Sequence, residues 1–465
     1  MVDITRVMRR GYRAGIAVTA VGALSITLAA CGQQTDTESS SASRDCPAIA
    51  EKPAEGNGKI VYWSMWTKGE PQQEVLQKTF DCFTEQTGVE VDAQWFGRTV
   101  LTQNVAPSLN TDDVPDLIDQ DISQVQAAVA GPGGLQDVSD VMDMKVSEGD
   151  STVADVMPAN YFEFPENKLT DGGQMLVPYE MLSNAWWYQT GTVEDFKAPE
   201  TTDELFALFD KAKEDGTAAV SQDGDIDFYN AYFFSRWAEQ YVGSGGLLAA
   251  AQDKTGASWT DDAGFLEAAK LVERLGKGDY LIDGWDASKF PNVQNRWADG
   301  DAAYLYVGSW ITSEAGEYIK KQAGGAGADV EFASFPMPLA DGATHPTVEQ
   351  MPIGFGVTAK AKNADATKAL IAYALNKENI EPIASEALNL VPRSDVDAPP
   401  SLDGVKQALE DPEAEPAVFM DAVDGQAPDW TKEVFYPLNN QLLKGEITAE
   451  DFVKQMAAQT KSFNS

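Results

Sequence analysis

Three consecutive segments near the start of the folded part constrain the architecture most. Lys59 to Trp63 (KIVYW) is a short apolar, β-branched run that reads as a buried strand. From Gln72 to Gln86, Leu76, Phe80 and Phe83 recur at helical spacing, and Gly88 supplies a stop. Val89, Val91, Ala93 and Trp95 then alternate as a second strand. This is a β-α-β unit. A brief strand at Asp116 to Ile118, an Ala-rich helix from Ser123 to Ala130 and a Gly-Pro-Gly-Gly break continue the alternation, which argues for an α/β fold. Further strands are expected at 175–179, 185–188, 302–307, 330–335 and 354–358. Helices are expected at 229–242, 262–275, 311–322, 364–376 and 378–388. Thr201 with Glu204 forms a capping box ahead of Leu205, Phe206, Leu208 and Phe209, and Thr448 caps the last helix at Asp451.

The N-terminus is of another kind. Arg6, Arg9, Arg10 and Arg13 precede an apolar run, Ala14 to Leu28, that falls short of the ~20 residues of a spanning helix and reads as a secretory signal. Leu28 to Cys31 resembles a bacterial lipobox. That resemblance implies cleavage after residue 30, a lipid on Cys31, and a mature chain anchored on the outer face of the cell membrane. Residues 31–57 are polar and rich in Ser, Glu and Pro, and read as a tether. With Cys31 acylated, Cys46 and Cys82 remain as an even pair in an oxidising compartment, and a bridge between them is expected, the alternative being two buried free thiols.

The segment from residue 58 onward exceeds the ~250 to 300 residues at which single cores stop growing, so two lobes are expected. Its charge argues against one class of partner. The chain carries 73 acidic and 34 basic side chains, a formal −39, and removing the four arginines and one aspartate of the signal gives −39 − 3 = −42. Nucleic acid binding needs a basic footprint, which this chain lacks. The excess acid is spread along the sequence, as on a solvated, self-repelling surface.

Several segments in order resemble the extracellular solute-binding proteins of ABC importers, of the maltose and oligosaccharide-binding kind. They are TGVEV (87–91), PDLI (115–118), GGLQDVSDVM (133–142), LVPYEMLSNAWWYQTG (176–191), TTDELFALFDKAK (201–213), WADGDAAYLYVGSW (297–310), IGFGVTAKAKNADATKALIAYAL (353–375) and LVPRSD (390–395). Gln189 and Thr190 depart from the family's Asn-Lys. The resemblance implies a two-lobed, periplasmic-binding-protein-like II (Venus-flytrap) fold with a ligand cleft between lobes. Lobe one would take 58–178 plus 352–393 and lobe two 179–351 plus 394–465. It also implies a non-enzymatic, monomeric receptor without cofactor or metal that captures a carbohydrate and delivers it to an ABC permease.

Sugars present apolar C–H faces and a rim of hydroxyls, so their sites need aromatic rings and acids side by side. Ten of the eleven tryptophans lie between Trp63 and Trp310. By the resemblance, Trp66 and Lys68 fall in a ligand-contacting loop, Gln120 and Asp121 match an acidic ligand contact, and Trp310 matches a stacking tryptophan. Tyr179 with Glu180, Tyr229 beside Trp237, and Glu349 supply the same combination elsewhere. Trp63, Trp95, Trp186, Trp187 and Trp297 read as core.

Two rival functions are open to the same residues. A polyamine or peptide-like cationic solute would use the acids, and an extracytoplasmic glycosidase would need a pair of them. Other chemistries lack their parts: the single histidine, His345, stands before a proline, and no P-loop, nucleophile elbow or zinc-protease motif occurs. Asp223, Asp225 and Asp227 alternate like a calcium loop, but Phe228 stands where its glycine must turn, so they read as a solvated acidic turn.

Overall fold

The computed structural model describes residues 46–50, 52–53, 58–146, 149–193, 196–322 and 330–465. The signal, the lipidation call at Cys31 and most of the tether lie outside the described residues. Among the described residues the strands are β1 (Lys59–Ser64), β2 (Glu90–Trp95), β3 (Leu117–Asp121), β4 (Val177–Leu182), β5 (Asn184–Gln189), β6 (Ala218–Ser221), β7 (Ala302–Gly308), β8 (Phe332–Phe335), β9 (Thr347–Val357) and β10 (Glu415–Val418). They form two sheets. The first runs β10-β9-β3-β1-β2 with β4 also on β9, and the second runs β6-β7-β5-β8.

The opening unit follows its sequence pattern. β1 pairs in parallel with β2 and β3, and helix Pro71–Thr87 makes the crossover. Val75, Leu76, Phe80 and Phe83 on that helix are buried, Phe80 meeting Tyr62 of β1 edge-on at 5.1 Å. Gly88 ends the helix at φ 75°, where a side chain would be strained, and its N–H bonds back to Thr84. Cys46 is bridged to Cys82 on the same helix. Gln86 reinforces that attachment, accepting from Ile49 N at 3.0 Å and donating to the Pro47 carbonyl at 2.6 Å.

In the second sheet Trp186 on β5 packs among Phe209, Phe233 and Tyr306, all buried. Trp187, Trp237, Trp259, Trp297 and Trp430 are also buried. Thr201 caps its helix by accepting from Glu204 N, but the Glu204 carboxylate reaches Glu200 N, one residue before the position a capping box requires.

The chain changes sheet at Ser183, between β4 and β5. The expected boundaries at 178/179 and 351/352 therefore fall inside β4 and β9. These strands are antiparallel partners as far as Leu182 and Met351, and ladder hydrogen bonds carry both past the expected cut.

Beyond β9, Arg393 is buried and its guanidinium grips both oxygens of Asp395 at 2.8 Å while also donating to the Leu375 carbonyl. That hydrogen-bonded pairing holds Asp395 below the ordinary carboxylate range. A lowered carboxylate contributes stability that is present above its unfolded value and lost as pH falls through its folded one. Because Asp395 is half exposed, Asp395→Asn is expected to cost about 2 kcal/mol, less than a fully buried pair, and to flatten the acid limb of a urea-midpoint against pH curve.

Candidate ligand-binding site

Two groups of side chains, one carried by each sheet, form the candidate site. On the first, the chain leaves β1 into Trp66, whose indole N–H donates to the Tyr179 hydroxyl at 2.6 Å. Tyr179 donates in turn to Asp119 at 2.5 Å, and the other Asp119 oxygen accepts from Met65 N at 2.9 Å. Tyr179 also stacks on Phe355 at 4.3 Å. Trp66, Tyr179 and Asp119 are all buried, so this chain of bonds is the rigid backing of the wall. What stands over Trp66 is Arg98, its guanidinium 4.8 Å from the ring centre and paired to Glu70 at 2.7 Å. Lys68 is exposed on the same loop.

β3 ends at Asp121, half-buried, whose side chain caps the next helical turn by accepting from Gln124 N at 3.0 Å. Burial, with the charge of Asp424 adding to it, pushes Asp121 up to about 6. Gln120 is buried beside it and accepts from Asp121 N.

On the second side the rings gather. Tyr229, in the first turn of helix Asp227–Val242, lies nearly parallel to Trp310 at 6.2 Å. Trp310 meets Phe419 at 6.3 Å, and Tyr232 meets both Tyr229 and Phe419. Phe228 and Phe290, 39% and 40% exposed, edge the cluster against Tyr229. Gly308 is required here, because a Cβ at that position would stand 1.9 Å from the Trp310 ring as it folds back over the end of β7. Glu314, one turn beyond Trp310, accepts from Gln294 and is raised by burial, with the Arg98 charge opposing the rise. The same Arg98 charge acts on Tyr229. The helical turn after Ala422 packs on the turn that follows β3, where a Cβ on Gly425 would stand 3.1 Å from the Ser123 Cα.

The structure thus groups Tyr229 and Trp310 with Phe419 and Glu314, sets Arg98 over Trp66, and leaves Asp121 within reach of the Asp424 charge; Arg98, Phe419, Asp424 and Glu314 are residues the sequence had not singled out. Arg98 follows Gly97, whose φ of 81° makes the turn, and that glycine was its only local signal. Phe419 and Asp424 carry no signal, since a turn distant in sequence delivers them.

Two expected contacts sit elsewhere. Glu180 is fully buried, one oxygen accepting from Gln72 at 3.0 Å and Asn389 at 2.6 Å. Glu349 is 1% exposed, and its oxygens are taken by Asn184 and by Met420 N. Both were expected to supply acids beside aromatic rings, but each lies within a strand, Glu180 in β4 and Glu349 as the third residue of β9, with its carboxylate hydrogen-bonded inside the protein. Trp237, expected beside Tyr229, is core.

Burial pushes Glu180 up to about 7, against the opposing effect of the Gln72 and Asn389 hydrogen bonds and the Arg98 charge. The folded protein then holds a proton that the unfolded chain releases at the ordinary glutamate value. Stability is greatest below that value and falls as pH rises toward 7. Glu180→Gln is expected to remove about 2–3 kcal/mol of this slope, read as the difference between urea unfolding at pH 5 and pH 8.

The acidic turn is structural. Asp223 accepts from the Val293 and Gln294 amides and Asp227 from Asn440, while His345 faces Glu415 at 3.0 Å. Among the described residues no cluster of His, Cys, Asp and Glu could hold a metal ion, and no helix is long and apolar enough to cross a membrane. A surface groove of about 680 Å³ lies apart from the rings, and its Asp253 is already satisfied by Thr255 and Ser258.

Among solved structures the fold recurs in the GacH receptor of Streptomyces glaucescens, determined unliganded and with acarbose, at 16% identity and TM-score 0.62, covering 87% of this chain and 98% of that one. It recurs in apo RafE from Streptococcus pneumoniae at 14% identity and TM-score 0.67, covering 89% and 100%. A Bacillus licheniformis sugar transporter solved with stachyose matches at 16% identity and TM-score 0.61, covering 86% and 98%. These likenesses show the fold, two α/β lobes with a cleft between them. No curated protein sequence matches. The sequence pattern of the bacterial extracellular solute-binding proteins matches residues 78–413, most of the chain, and the protein belongs to that family.

Proposed function

We propose that this protein is a lipid-anchored receptor, held at Cys31 on the outer face of the cell membrane, that captures a carbohydrate and passes it to an ABC permease. The observation that carries the reading is the ring cluster of Tyr229, Trp310 and Phe419, edged by exposed Phe228 and Phe290, with Glu314 and Arg98 near enough for their charges to act on Tyr229. Stacked rings cover a pyranose face and the charged groups take its hydroxyls. Similarity to receptors whose structures hold acarbose and stachyose supports the same class. Trp66 and Tyr179 support the wall from behind, and binding closes the lobes by the ligand's differential affinity for the closed state.

A thermal-shift screen of the mature chain tests this. A ligand at 100 times its Kd stabilises the fold by about 2.7 kcal/mol. A rise in midpoint with one class of oligosaccharide, recovered unchanged afterwards, is the expected outcome, and consumption of the sugar would instead mean a glycosidase. Two acids whose charges act on one another, Asp121 and Asp424, favour one second reading, an amine-bearing solute, which a rise with polyamines alone would support over the sugar.

A further inference from the structure

Glu349, 1% exposed, occupies an unusual position in the connectivity. Its Oε2 accepts from Asn184 Nδ2 at 3.0 Å, its Oε1 accepts from Met420 N at 3.1 Å, and its own carbonyl accepts from the Ser183 hydroxyl at 2.7 Å. Ser183 and Asn184 are where the chain leaves the first sheet for the second. β9, which carries Glu349, is the strand by which it returns after β8. Met420 begins the turn by which it departs again, after β10, for the closing helices packed on Asp227–Val242. One carboxylate therefore bonds to two places where the chain leaves the first sheet while standing on a strand by which it returns.

The turn it holds is strained. Met420, Asp421 and Ala422 have φ of 52°, 51° and 61°, three successive non-glycine residues in the left-handed region. Such a run persists only where its surroundings over-determine it, and two buried carboxylates grip it from opposite sides. Glu349 takes the Met420 N–H, and Asp421 accepts from Leu247 N at 2.7 Å, from Leu248 N at 3.1 Å and from Gly245 N. Immediately before the turn stands Phe419, against Trp310 and Tyr232, and just after it Asp424, bonded by the Tyr436 hydroxyl at 3.0 Å.

We propose that Glu349 is a positioning residue of the cleft: it pins these three stretches of chain together and, by fixing Met420, sets where Phe419 and Asp424 stand relative to Trp310 and Asp121. It touches no ligand. The inference rests on the two-lobed receptor reading but not on the ligand's being a sugar.

Hydrogen exchange on the ligand-free mature chain, read by mass spectrometry and paired with small-angle scattering, tests it. Glu349→Ala is expected to speed exchange at 418–424 and around Asn184 by about tenfold or more, as loss of a charge-assisted hydrogen bond implies, leaving β1 and β2 at the wild-type rate and broadening the distribution of interlobe distances. Glu349→Gln, which keeps a carbonyl acceptor, is expected to restore most of the protection. If the alanine variant does not fold, Asn184→Ala removes one of the three bonds and should raise the same local exchange by about threefold. Faster exchange spread evenly over the protein would reduce Glu349 to a purely structural group and overturn the proposal. Unchanged exchange with loss of binding to the oligosaccharide found in the screen would make it a ligand contact and overturn it too. Failure of every sugar in wild type would sink the carbohydrate reading while leaving these exchange results to stand or fall by themselves.

Discussion

Trp310→Ala is expected to weaken binding of the oligosaccharide by about 100-fold, close to 3 kcal/mol, in isothermal titration, with little change in the unfolding midpoint of the free protein. The selectivity follows from where the ring sits. Trp310 is only partly buried and lies over the end of β7 between Tyr229 and Phe419, so its removal takes away stacking surface without opening the core. Trp186→Ala makes the contrast. That ring is fully buried among Phe209, Phe233 and Tyr306, and its loss costs the fold about 3–5 kcal/mol while leaving the cleft wall's own residues in place. A Trp310→Ala protein that binds within threefold of wild type would remove the ring cluster from the ligand site. Phe419→Ala should give a smaller loss, because Tyr232 and Trp310 remain to shape the platform.

Cys82→Ser is expected to lower stability by about 4 kcal/mol in urea unfolding of the mature chain, and reductant should bring wild type to the same value. The bridge closes a loop of sequence separation 36 and ties Cys46 to helix Pro71–Thr87. The loss acts chiefly through the unfolded chain, which regains the freedom of that loop. The Gln86 hydrogen bonds to Ile49 and Pro47 remain in the reduced folded state, so ligand affinity should be unchanged. An unfolding midpoint insensitive to both reductant and substitution would mean that the bridge does not form in the mature protein.

Local periodicity was a reliable guide wherever one face of an element meets the core. Helix Pro71–Thr87 and its Gly88 stop, the alternating β2 and the Thr448 cap of the last helix all lie where spacing and capping chemistry put them. Reading β9 as a strand only from 354 was too short, because its first half, Thr347 to Met351, mixes polar and apolar residues. It is strand only because β10 and β4 pair with it. The short β6 and β10 were missed for the same reason: four-residue strands owe their existence to partners rather than to pattern.

The site divides along the same line. Tyr229 opens a helix and Trp310 follows the strand that ends at Gly308, because a residue's place on its own element is a local property. Whether an acid faces the cleft is not. Asp121 remains half-exposed at a strand end, whereas Glu180 and Glu349, which looked equivalent, are drawn inward by Asn389, Asn184 and Met420, residues far from them in the chain. Sequence alone determined the α/β class and the opening β-α-β unit, since those follow from apolar spacing and turn residues within each segment. The tertiary structure alone decided which polar groups meet across the walls, because burial and hydrogen-bond partners depend on where the chain's passages between the sheets bring distant residues together.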